Sequence, residues 1–404
     1  MDLPSPDDTN QVPTAHKEPR ASKPSLVWPT LLMLTITPLV ALIGIPWYQY
    51  SVGFEWTHWV TFAVVAALNG LSITAGYHRL WAHNAYKART PLKIFLALFG
   101  AATFQNSILV WASQHRRHHR HVDVIDEDPY SAKKGLWFSH IGWMIRDYPT
   151  NDDDFSNVAD LKRDKIVMWQ HKYYYSLAIV MNILPPLVMG FITGDYLAHF
   201  LACGFLRLVY SHHTTFFINS LAHYWGRQPY TEENTARDND LVAIFTYGEG
   251  YHNYHHLFQS DYRNGVRWWQ FDPTKWLIKS ASWLGLTYDL RQTPNFKICE
   301  AMVNQQLNAA RQKLQSERAS DRVKAYVEQE SQHLAELLGE WRSTREQWIS
   351  HNRDRLIHAS NDLQKSLEQD RKAISRRMKE LESSANQQYQ RLREFNVRGS
   401  FNYA

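Results

Sequence analysis

Residues 115–119, HRRHH, place three imidazoles and two guanidinium groups in five consecutive positions, directly after the apolar stretch FLALFGAATFQNSILVW at 95–111. In a helix, positions i, i+3 and i+4 lie on one face, so His115, His118 and His119 would present their rings to one place. Neutral imidazole is a ligand for zinc, copper, iron and nickel. The pentapeptide therefore predicts a metal site at the edge of an apolar region.

Three further segments contribute histidines: HNYHH at 252–256, which repeats the HxxHH spacing, HRLWAH at 78–83 and NSLAH at 219–223. Together they give nine candidate ligands: His78, His83, His115, His118, His119, His223, His252, His255 and His256. One tetrahedral zinc ion needs at most four such ligands. Nine imidazoles suit two ions of higher coordination number, which favours iron and oxygen chemistry. Their clustering in the sequence argues against the alternative that they are scattered surface histidines.

Four apolar stretches, at about 27–47, 56–77, 175–193 and 196–222, are long enough to cross the hydrocarbon core of a bilayer. The fourth contains Arg207, His212 and His213, which we expect to face the interior of a helix bundle or to reach towards the interface. The apolar run at 92–111 is predicted to be re-entrant or interfacial. Lys and Arg residues cluster before the first stretch, between the second and third, and after the fourth. This places both termini and every histidine cluster in the cytoplasm.

The two ends of the chain differ from this membrane domain, which we place at 26–295. Residues 1–25 are predicted to be disordered. Residues 296–404 are charged and rich in Gln, and their apolar residues recur mostly in steps of seven: Ile349, Leu356, Leu363, Leu367, Ile374 and Leu381. This spacing predicts a long amphipathic, coiled-coil-like helix. It would either associate with a second copy or a partner, or fold against the rest of the chain.

The composition excludes several classes of function. A net charge of +5 and the lack of any nucleic-acid-binding motif argue against a nucleic-acid partner. The two cysteines, Cys203 and Cys299, are too few for a cysteine-ligated zinc or iron–sulfur site. The sequence also lacks an HPGG haem-binding signature, so it contains no fused cytochrome b5.

The histidine segments and their flanks resemble the histidine boxes of membrane fatty acyl desaturases, and most closely the Δ9, stearoyl-CoA type. The matching stretches are GYHRLWAHNAYKA, FQNSILVWASQHRRHH, FFINSLAHYWG and GEGYHNYHHLF, and the resemblance runs from about residue 28 to 295. It implies an all-α fold with four transmembrane helices and a cytosolic helical cap that holds a di-iron centre. One iron would take His83, His118, His255 and His256, and the other His78, His115, His119, His223 and His252, with the division left open. Asn219 would reach its metal through a water.

The resemblance also implies a substrate and its contacts. The reaction would be the O₂-dependent conversion of a long-chain saturated acyl thioester, preferably acyl-CoA, to the cis-Δ9 product. Gln105, Trp111 and Thr215 would line the bend of an acyl tunnel, Asn106 would contact the thioester arm, and Arg146 the CoA phosphates. Ala66 and Gly70 would line the methyl end, or simply pack helices together. Ser113, Gln114 and Asp147 replace residues usual in that family, which weakens acyl-CoA relative to acyl-carrier or phospholipid substrates.

Electrons for this reaction would come from a separate ferredoxin, cytochrome b5 or reductase, and the missing cytochrome b5 favours the bacterial inner membrane over the endoplasmic reticulum. Two alternatives remain. Similar boxes occur in di-iron hydroxylases that act on alkyl chains or lipids. A membrane receptor could also use the metal without catalysis.

Overall fold

Helices dominate the computed structural model, which describes residues 24–151, 155–316, 321–357 and 361–398. Three of the described helices are long and apolar enough to cross a membrane: Trp28–Ser51, Trp56–Ala82 and Tyr174–Thr193. We call the first α1 and the third α6, while the second consists of α2 (Trp56–Leu71) and its extension Ser72–Ala82. The arm predicted to be disordered, 1–25, lies almost wholly outside the described residues.

The extension of α2 is a π-helix, in which each backbone N–H bonds to the carbonyl five residues earlier. At its end, the His83 N–H donates to the His78 carbonyl over 3.0 Å. This winding makes residues five positions apart neighbours, as the spacing of HRLWAH requires. The rings of His78 and His83 accordingly lie 4.8 Å apart.

The fourth predicted span is helical throughout, in three consecutive pieces: α7 (Tyr196–His199), a π-helical segment (Phe200–Leu206) and α8 (Arg207–Asn219). This run packs against α1, α2 and α6, and the short helix α9 (Leu221–Tyr224) follows it. Arg207 and His212 are buried, as expected for residues that face the bundle interior. The run is not among the three apolar spanning helices, so a fourth crossing stays a prediction.

The apolar run at 92–111 forms two helices with a turn between them. These are α3 (Thr90–Ala101) and α4 (Ile108–His121), and α3 packs against α6 and the π-helical extension. Helix α4 starts at Ser107, whose hydroxyl accepts a hydrogen bond from the Val110 N–H. Because α4 begins anew here, its last turns carry HRRHH away from the apolar core.

A cap of short elements closes the end of the bundle that carries the histidines. Its helices are α5 (Lys165–Lys172), α10 (Asp240–Phe245), α11 (His252–Leu257) and α12 (Pro273–Trp283). Strands β1 (Lys87–Ala88) and β2 (Thr287–Tyr288) pair antiparallel, with Lys87 opposite Tyr288. The largest hydrophobic cluster joins the π-helical extension, α3 and α4 through buried side chains such as Tyr77, Trp81, Leu96 and Ile108.

The C-terminal region forms three helices that pack on one another, where the sequence predicted one long helix. They are α13 (Asn295–Ser316), α14 (Asp321–Ile357) and α15 (Asn361–Arg398). Of the predicted apolar seam, Leu381 is buried, Ile374 is half-buried and Ile349 is exposed. The side chains of Leu356, Leu363 and Leu367 lie outside the described residues. The buried contacts are made within the chain, so self-association stays a prediction.

The core of this C-terminal bundle predicts a stability difference between two of its tryptophans. Trp341 on α14 is 2% exposed and stacks on Phe296 of α13, with ring centroids 4.7 Å apart. Replacing it with alanine leaves a large cavity, so Trp341→Ala should lower the free energy of unfolding by about 3–5 kcal/mol. Pulse proteolysis of the detergent-solubilised protein would measure the loss.

Trp348→Ala is the matched control, because Trp348 lies on the same helix but is 38% exposed. Trp348→Ala should lower the free energy of unfolding by much less than Trp341→Ala does. Equal sensitivity of the two variants to proteolysis would contradict this packing of α13 on α14.

Candidate metal centre

The nine histidines of the sequence boxes come together in two adjoining groups. The five-histidine set consists of His78, His83, His115, His119 and His255, and the four-histidine set consists of His118, His223, His252 and His256. Within each set, one ligand nitrogen of every residue lies within 4.8 Å of the others. The structure thus forms two groups of histidines, each of which could hold a metal ion through ring nitrogens.

Each HxxHH segment contributes to both sets. On α4, His115 and His119 enter the five-histidine set, whereas His118 enters the four-histidine set. On α11, His255 joins the five-histidine set, whereas His252, three residues before it, and His256, the next residue, join the four-histidine set. The expectation that three rings of one segment meet at one place was therefore wrong. The two sets adjoin, with the rings of His119 and His256 stacked 4.3 Å apart.

This grouping also corrects the division between two irons that the resemblance implied. His83 and His255, expected together with His118 and His256, belong instead with the five-histidine set. The physical reason is the π-helical winding, which carries His83 to the side of His78, and the alternation of facing directions along α4 and α11.

The Nε2 atoms of these rings point at one another rather than at solvent. Nε2–Nε2 distances are 3.0 Å from His78 to His255 and 2.8 Å from His83 to His115 in the five-histidine set. In the four-histidine set, the Nε2 of His252 lies 3.1 Å from those of both His223 and His256. Converging ring nitrogens of this kind fit a metal ion at the centre of each set.

The opposite ring nitrogens of four histidines are held by oxygen partners. His78 Nδ1 lies 2.9 Å from a Glu249 oxygen, and His118 Nδ1 lies 2.8 Å from an Asp128 oxygen. His115 and His223 contact the hydroxyls of Tyr130 and Thr235 through Nδ1, at 3.2 and 2.9 Å. A carboxylate can only accept, so the Nδ1 of His78 and of His118 carries the proton and leaves Nε2 free to bind metal.

The carboxylates themselves are anchored by buried donors. Arg79 donates to Glu249 over 2.8 Å and to Asp272 over 3.1 Å, and Asn264 donates to Glu249 over 2.6 Å. Burial alone would raise the pKa of Glu249, but the Arg79 charge and the hydrogen bonds from His78 and Arg79 hold it below its ordinary value. Glu249 therefore stays ionised and continues to orient His78.

Burial has the opposite effect on the imidazoles. Burial, together with the neighbouring His118, lowers the pKa of His223 to about 3. Burial and nearby imidazoles also hold a further group well below the ordinary pKa: His83, His115, His119, His252, His255 and His256. Metal binding requires neutral imidazole, so the environment keeps these rings in the binding form.

A cavity of about 730 Å³ adjoins the five-histidine set and extends between the apolar helices. Its lining includes His78 and His115 together with apolar residues of α1 and α8 such as Met33, Leu34 and Leu208. Four predicted substrate residues, Gln105, Asn106, Trp111 and Thr215, also line it, as does Asn219. A long apolar chain can therefore reach the histidines without crossing water.

Two of these lining residues are fixed at the turn between α3 and α4. The Gln105 amide donates to the Thr215 hydroxyl over 3.0 Å. Trp111 stacks on His115 with ring centroids 4.8 Å apart. The wall of the cavity is thus joined directly to a candidate ligand.

Three predicted substrate residues do not line the cavity. A Cβ built on Gly70 would overlap the ring of Tyr247, whose hydroxyl donates to the Ala66 carbonyl over 3.1 Å. The lack of a side chain at Gly70 therefore makes room for the Tyr247 ring, and neither Ala66 nor Gly70 lines this cavity, which favours the alternative expectation that they pack elements together. Arg146 donates to the Pro24 carbonyl over 2.8 Å, and its neighbour Asp147 lines the cavity instead.

Sequence reasoning missed the residues that hold the ligands in place. Glu249 and Asp128 lie 171 and 10 positions from the histidines they contact, and Tyr247 touches helix α2 across a similar gap. The neighbourhood of GEG and HNYHH was the one available indication for Glu249. Nothing in the local pattern distinguishes Asp128 from its neighbour Glu127.

A helical protein with apolar, membrane-spanning helices and two sets of converging imidazoles beside an apolar cavity has the architecture of a histidine-ligated membrane metalloprotein. A family model of fatty acid desaturases matches residues 54–289, which is more than half of the chain. The chain therefore belongs to the fatty acid desaturase family, and the family resemblance of the histidine boxes is confirmed.

Curated relatives give the same family and more specific names. The chain is 44% identical over 282 residues to a probable acyl-CoA desaturase of Schizosaccharomyces pombe, covering 69% of this chain and 58% of the relative. It is 44% identical over 241 residues to acyl-CoA desaturase 1 of Saccharomyces cerevisiae, covering 59% and 47%. Over 292 residues it is 36% identical to a Homo sapiens stearoyl-CoA desaturase, covering 71% and 80%. The chain thus spans about half the length of the two yeast relatives.

The carboxylate that orients His118 predicts a loss of metal affinity when its charge is removed. Asp128 is fully buried against His118, so Asp128→Asn replaces the charged carboxylate that fixes the ring and its tautomer with a neutral amide. Mutating a hydrogen-bond partner of this kind typically lowers metal affinity by about 10–100-fold. Iron retention by the purified protein against a graded series of chelator concentrations would measure the change.

The adjacent pair supplies the control. Glu127 contacts His121 over 2.6 Å, but its side chain is 56% exposed and His121 belongs to neither set. Glu127→Gln should leave iron retention unchanged. An equal loss in both variants would show that Asp128 acts through general stability and not through His118.

Proposed function

We propose that this protein desaturates long-chain saturated fatty acyl thioesters, preferably acyl-CoA, to cis-Δ9 monoenes in an O₂-dependent reaction. The observation that carries the proposal is the cavity that joins an apolar channel to His78 and His115. The names of the relatives, acyl-CoA and stearoyl-CoA desaturases, support the substrate class.

Each of the two sets would hold one iron, with the five-histidine set and the four-histidine set as ligands and Asn219 contributing through a water. Nitrogen-rich sets of this size suit ions with five or six ligands. Iron bound there would supply the oxidising power of O₂ that an unactivated C–H bond requires. In balance, one hydrogen leaves each of two adjacent methylenes, and O₂, two electrons and two protons complete the formation of two waters.

The residues of this chain would bind and orient the acyl chain. Apolar side chains exclude water along the cavity, and the Gln105–Thr215 hydrogen bond marks the wall where the chain passes the histidines. Trp111, stacked on His115, would press the chain towards the five-histidine set. Asn106 would contact the thioester arm. Gln105 and Asn106 lie in the turn before α4, Trp111 on α4 and Thr215 on α8, and all four line the cavity.

The head group is the less constrained part of the substrate. Arg146 would meet CoA phosphates only after exchanging its bond to the Pro24 carbonyl. Asp147 at the cavity rim would repel phosphate. The same cavity would accept an acyl-carrier or phospholipid-bound chain, which the choice of substrate in the assay distinguishes.

The membrane arrangement follows from the same proposal. Four spans with both termini on the cytoplasmic side would put the cap, both histidine sets and the C-terminal bundle where a separate ferredoxin, cytochrome b5 or reductase can deliver electrons. The preference for a bacterial inner membrane over the endoplasmic reticulum stays a prediction. The relatives reported above come from yeasts and a mammal and give that preference no support.

A lipid profile tests the proposed activity directly. We would express the chain in a host that lacks its own desaturase, with a compatible electron donor, and map double bonds by mass spectrometry. The wild type should form a new Δ9 monoene. His118→Ala should abolish it, because it removes a ligand from the four-histidine set.

His121→Ala is the matched control, since His121 lies on the same helix outside both sets and should retain activity. A hydroxylated lipid would replace the proposal with the hydroxylase alternative. Iron-loaded protein that forms no new lipid with a working donor would favour a metal-binding receptor.

The position of the Tyr247 ring predicts that this side chain limits the length of the acyl chain that the cavity can hold. Ile73 and Thr74 line the cavity, and Gly70, one turn earlier on the same helix, is covered by the Tyr247 ring. Tyr247→Ala should open the space beside Gly70 and Ala66 and raise the relative rate on a chain two carbons longer by about tenfold or more, given the usual discrimination per methylene.

Tyr247→Phe is the control, because it keeps the ring and loses only the hydroxyl, which bonds to the Ala66 carbonyl and to Tyr210. It should keep the wild-type chain length in a competition between acyl thioesters of graded length. An unchanged preference in Tyr247→Ala, at wild-type protein levels, would show that the cavity ends elsewhere.

A further inference from the structure

Two polar residues in the fourth predicted span, Arg207 and His212, have no part in the metal sets. We propose that they are positioning residues that fix the turn between α3 and α4, and thereby select which methylenes of the acyl chain meet the histidines. This inference rests on the proposed desaturase function. We call residues 102–107 the bend loop.

The bend loop adopts a backbone that its sequence does not favour. Phe104 and Asn106 have φ angles of +52° and +72°, in the left-handed region that non-glycine residues seldom adopt. Such conformations persist where the surroundings over-determine them, and they cluster at functional sites. The loop therefore needs partners that hold it in this shape.

The loop also leaves backbone carbonyls without helical partners. Helix α3 ends at Ala101, so the carbonyls of Ala102 and Thr103 receive no hydrogen bond from a continuing helix. They lie among apolar helices, where an unpaired carbonyl is costly because no water can reach it. Donors from neighbouring helices must satisfy them.

Arg207, His212 and Asn182 are those donors. The Arg207 guanidinium donates to the Ala102 carbonyl over 3.0 Å, and His212 Nε2 lies 2.8 Å from the Thr103 carbonyl. Asn182 of α6 donates to the same Ala102 carbonyl over 2.9 Å and accepts from Arg207 over 2.6 Å. A charged residue between membrane helices is expensive, and here it ties the loop to both α6 and α8.

The held loop reaches the cavity and the metal centre at once. Phe104, Gln105 and Asn106 line the cavity, and Gln105 bonds to Thr215, about two turns after Arg207 on α8. The same helical run continues through α9 to His223 of the four-histidine set. Helix α8 therefore sets the distance between the wall of the cavity and a metal ligand. A loosened loop would let the acyl chain shift by one or two methylenes.

The test compares double-bond positions in the wild type, Asn182→Ala and Arg207→Lys. Neither Asn182 nor Arg207 is among the residues that line the cavity, so an effect on position must act through the loop. Thr61→Ala is the matched control, since it removes a buried hydroxyl from α2 that bonds only within its own helix, to the Thr57 carbonyl. Iron content and protein amount are measured for each variant, as is deuterium exchange of the 102–107 amides in detergent.

We expect one double-bond position in the wild type and in Thr61→Ala. In Asn182→Ala and Arg207→Lys, at least about a tenth of the product should carry the bond at a neighbouring carbon, and the loop amides should exchange at least tenfold faster. If Arg207→Lys fails to accumulate, Asn182→Ala decides alone, because it retains the charge.

Reduced product at a single unchanged position, with unchanged loop exchange, would overturn the proposal and leave these residues a purely structural role. A wild type that makes no monoene would instead refute the proposed function. In that case the deuterium exchange still decides whether Asn182 and Arg207 hold the loop.

Discussion

The structure depends on aiming the ring nitrogens of nine imidazoles at two points inside the protein. Burial lowers the pKa of most of these rings, so they remain able to bind metal, but burial does not orient them. Orientation comes from acceptors at Nδ1, above all the carboxylates of Glu249 and Asp128. Those carboxylates are themselves buried and need donors, which is why Arg79 and Asn264 lie around Glu249. Removing Arg79 would therefore leave the buried Glu249 carboxylate without its charged partner, and removing Glu249 would leave the buried Arg79 guanidinium short of one.

Departures from regular helix geometry serve the same requirement. The π-helical extension of α2 makes His78 and His83 neighbours, and the turn between α3 and α4 redirects HRRHH towards them. At that turn Phe104 and Asn106 accept unfavourable backbone angles. A straight continuation of either helix would keep better local hydrogen bonding and would separate the ligands. Local irregularity is thus the means by which four distant segments meet.

Much of the site could be predicted from the sequence, because histidine spacing and flanking motifs are local features. All nine histidines, together with Gln105, Asn106, Trp111 and Thr215, lie where the metal sets and the cavity are. The division of the rings between the sets depends on helical winding, which residue spacing alone does not reveal.

The failures elsewhere have the same origin in long-range packing. The small residues Ala66 and Gly70 suggested space for the methyl end of the acyl chain, because Tyr247, whose ring covers Gly70, is distant in the sequence. The C-terminal repeat predicted one long helix, and the structure packs three against one another. Apolar periodicity gives the buried face of a helix but does not say where the chain turns back.

We propose that each histidine set holds its own iron ion. Anomalous diffraction at the iron edge from crystals of the purified, iron-loaded protein would test this arrangement. We expect two peaks, one surrounded by the Nε2 atoms of the five-histidine set and one by those of the four-histidine set. A single peak shared between the sets, or iron bound away from them, would contradict it.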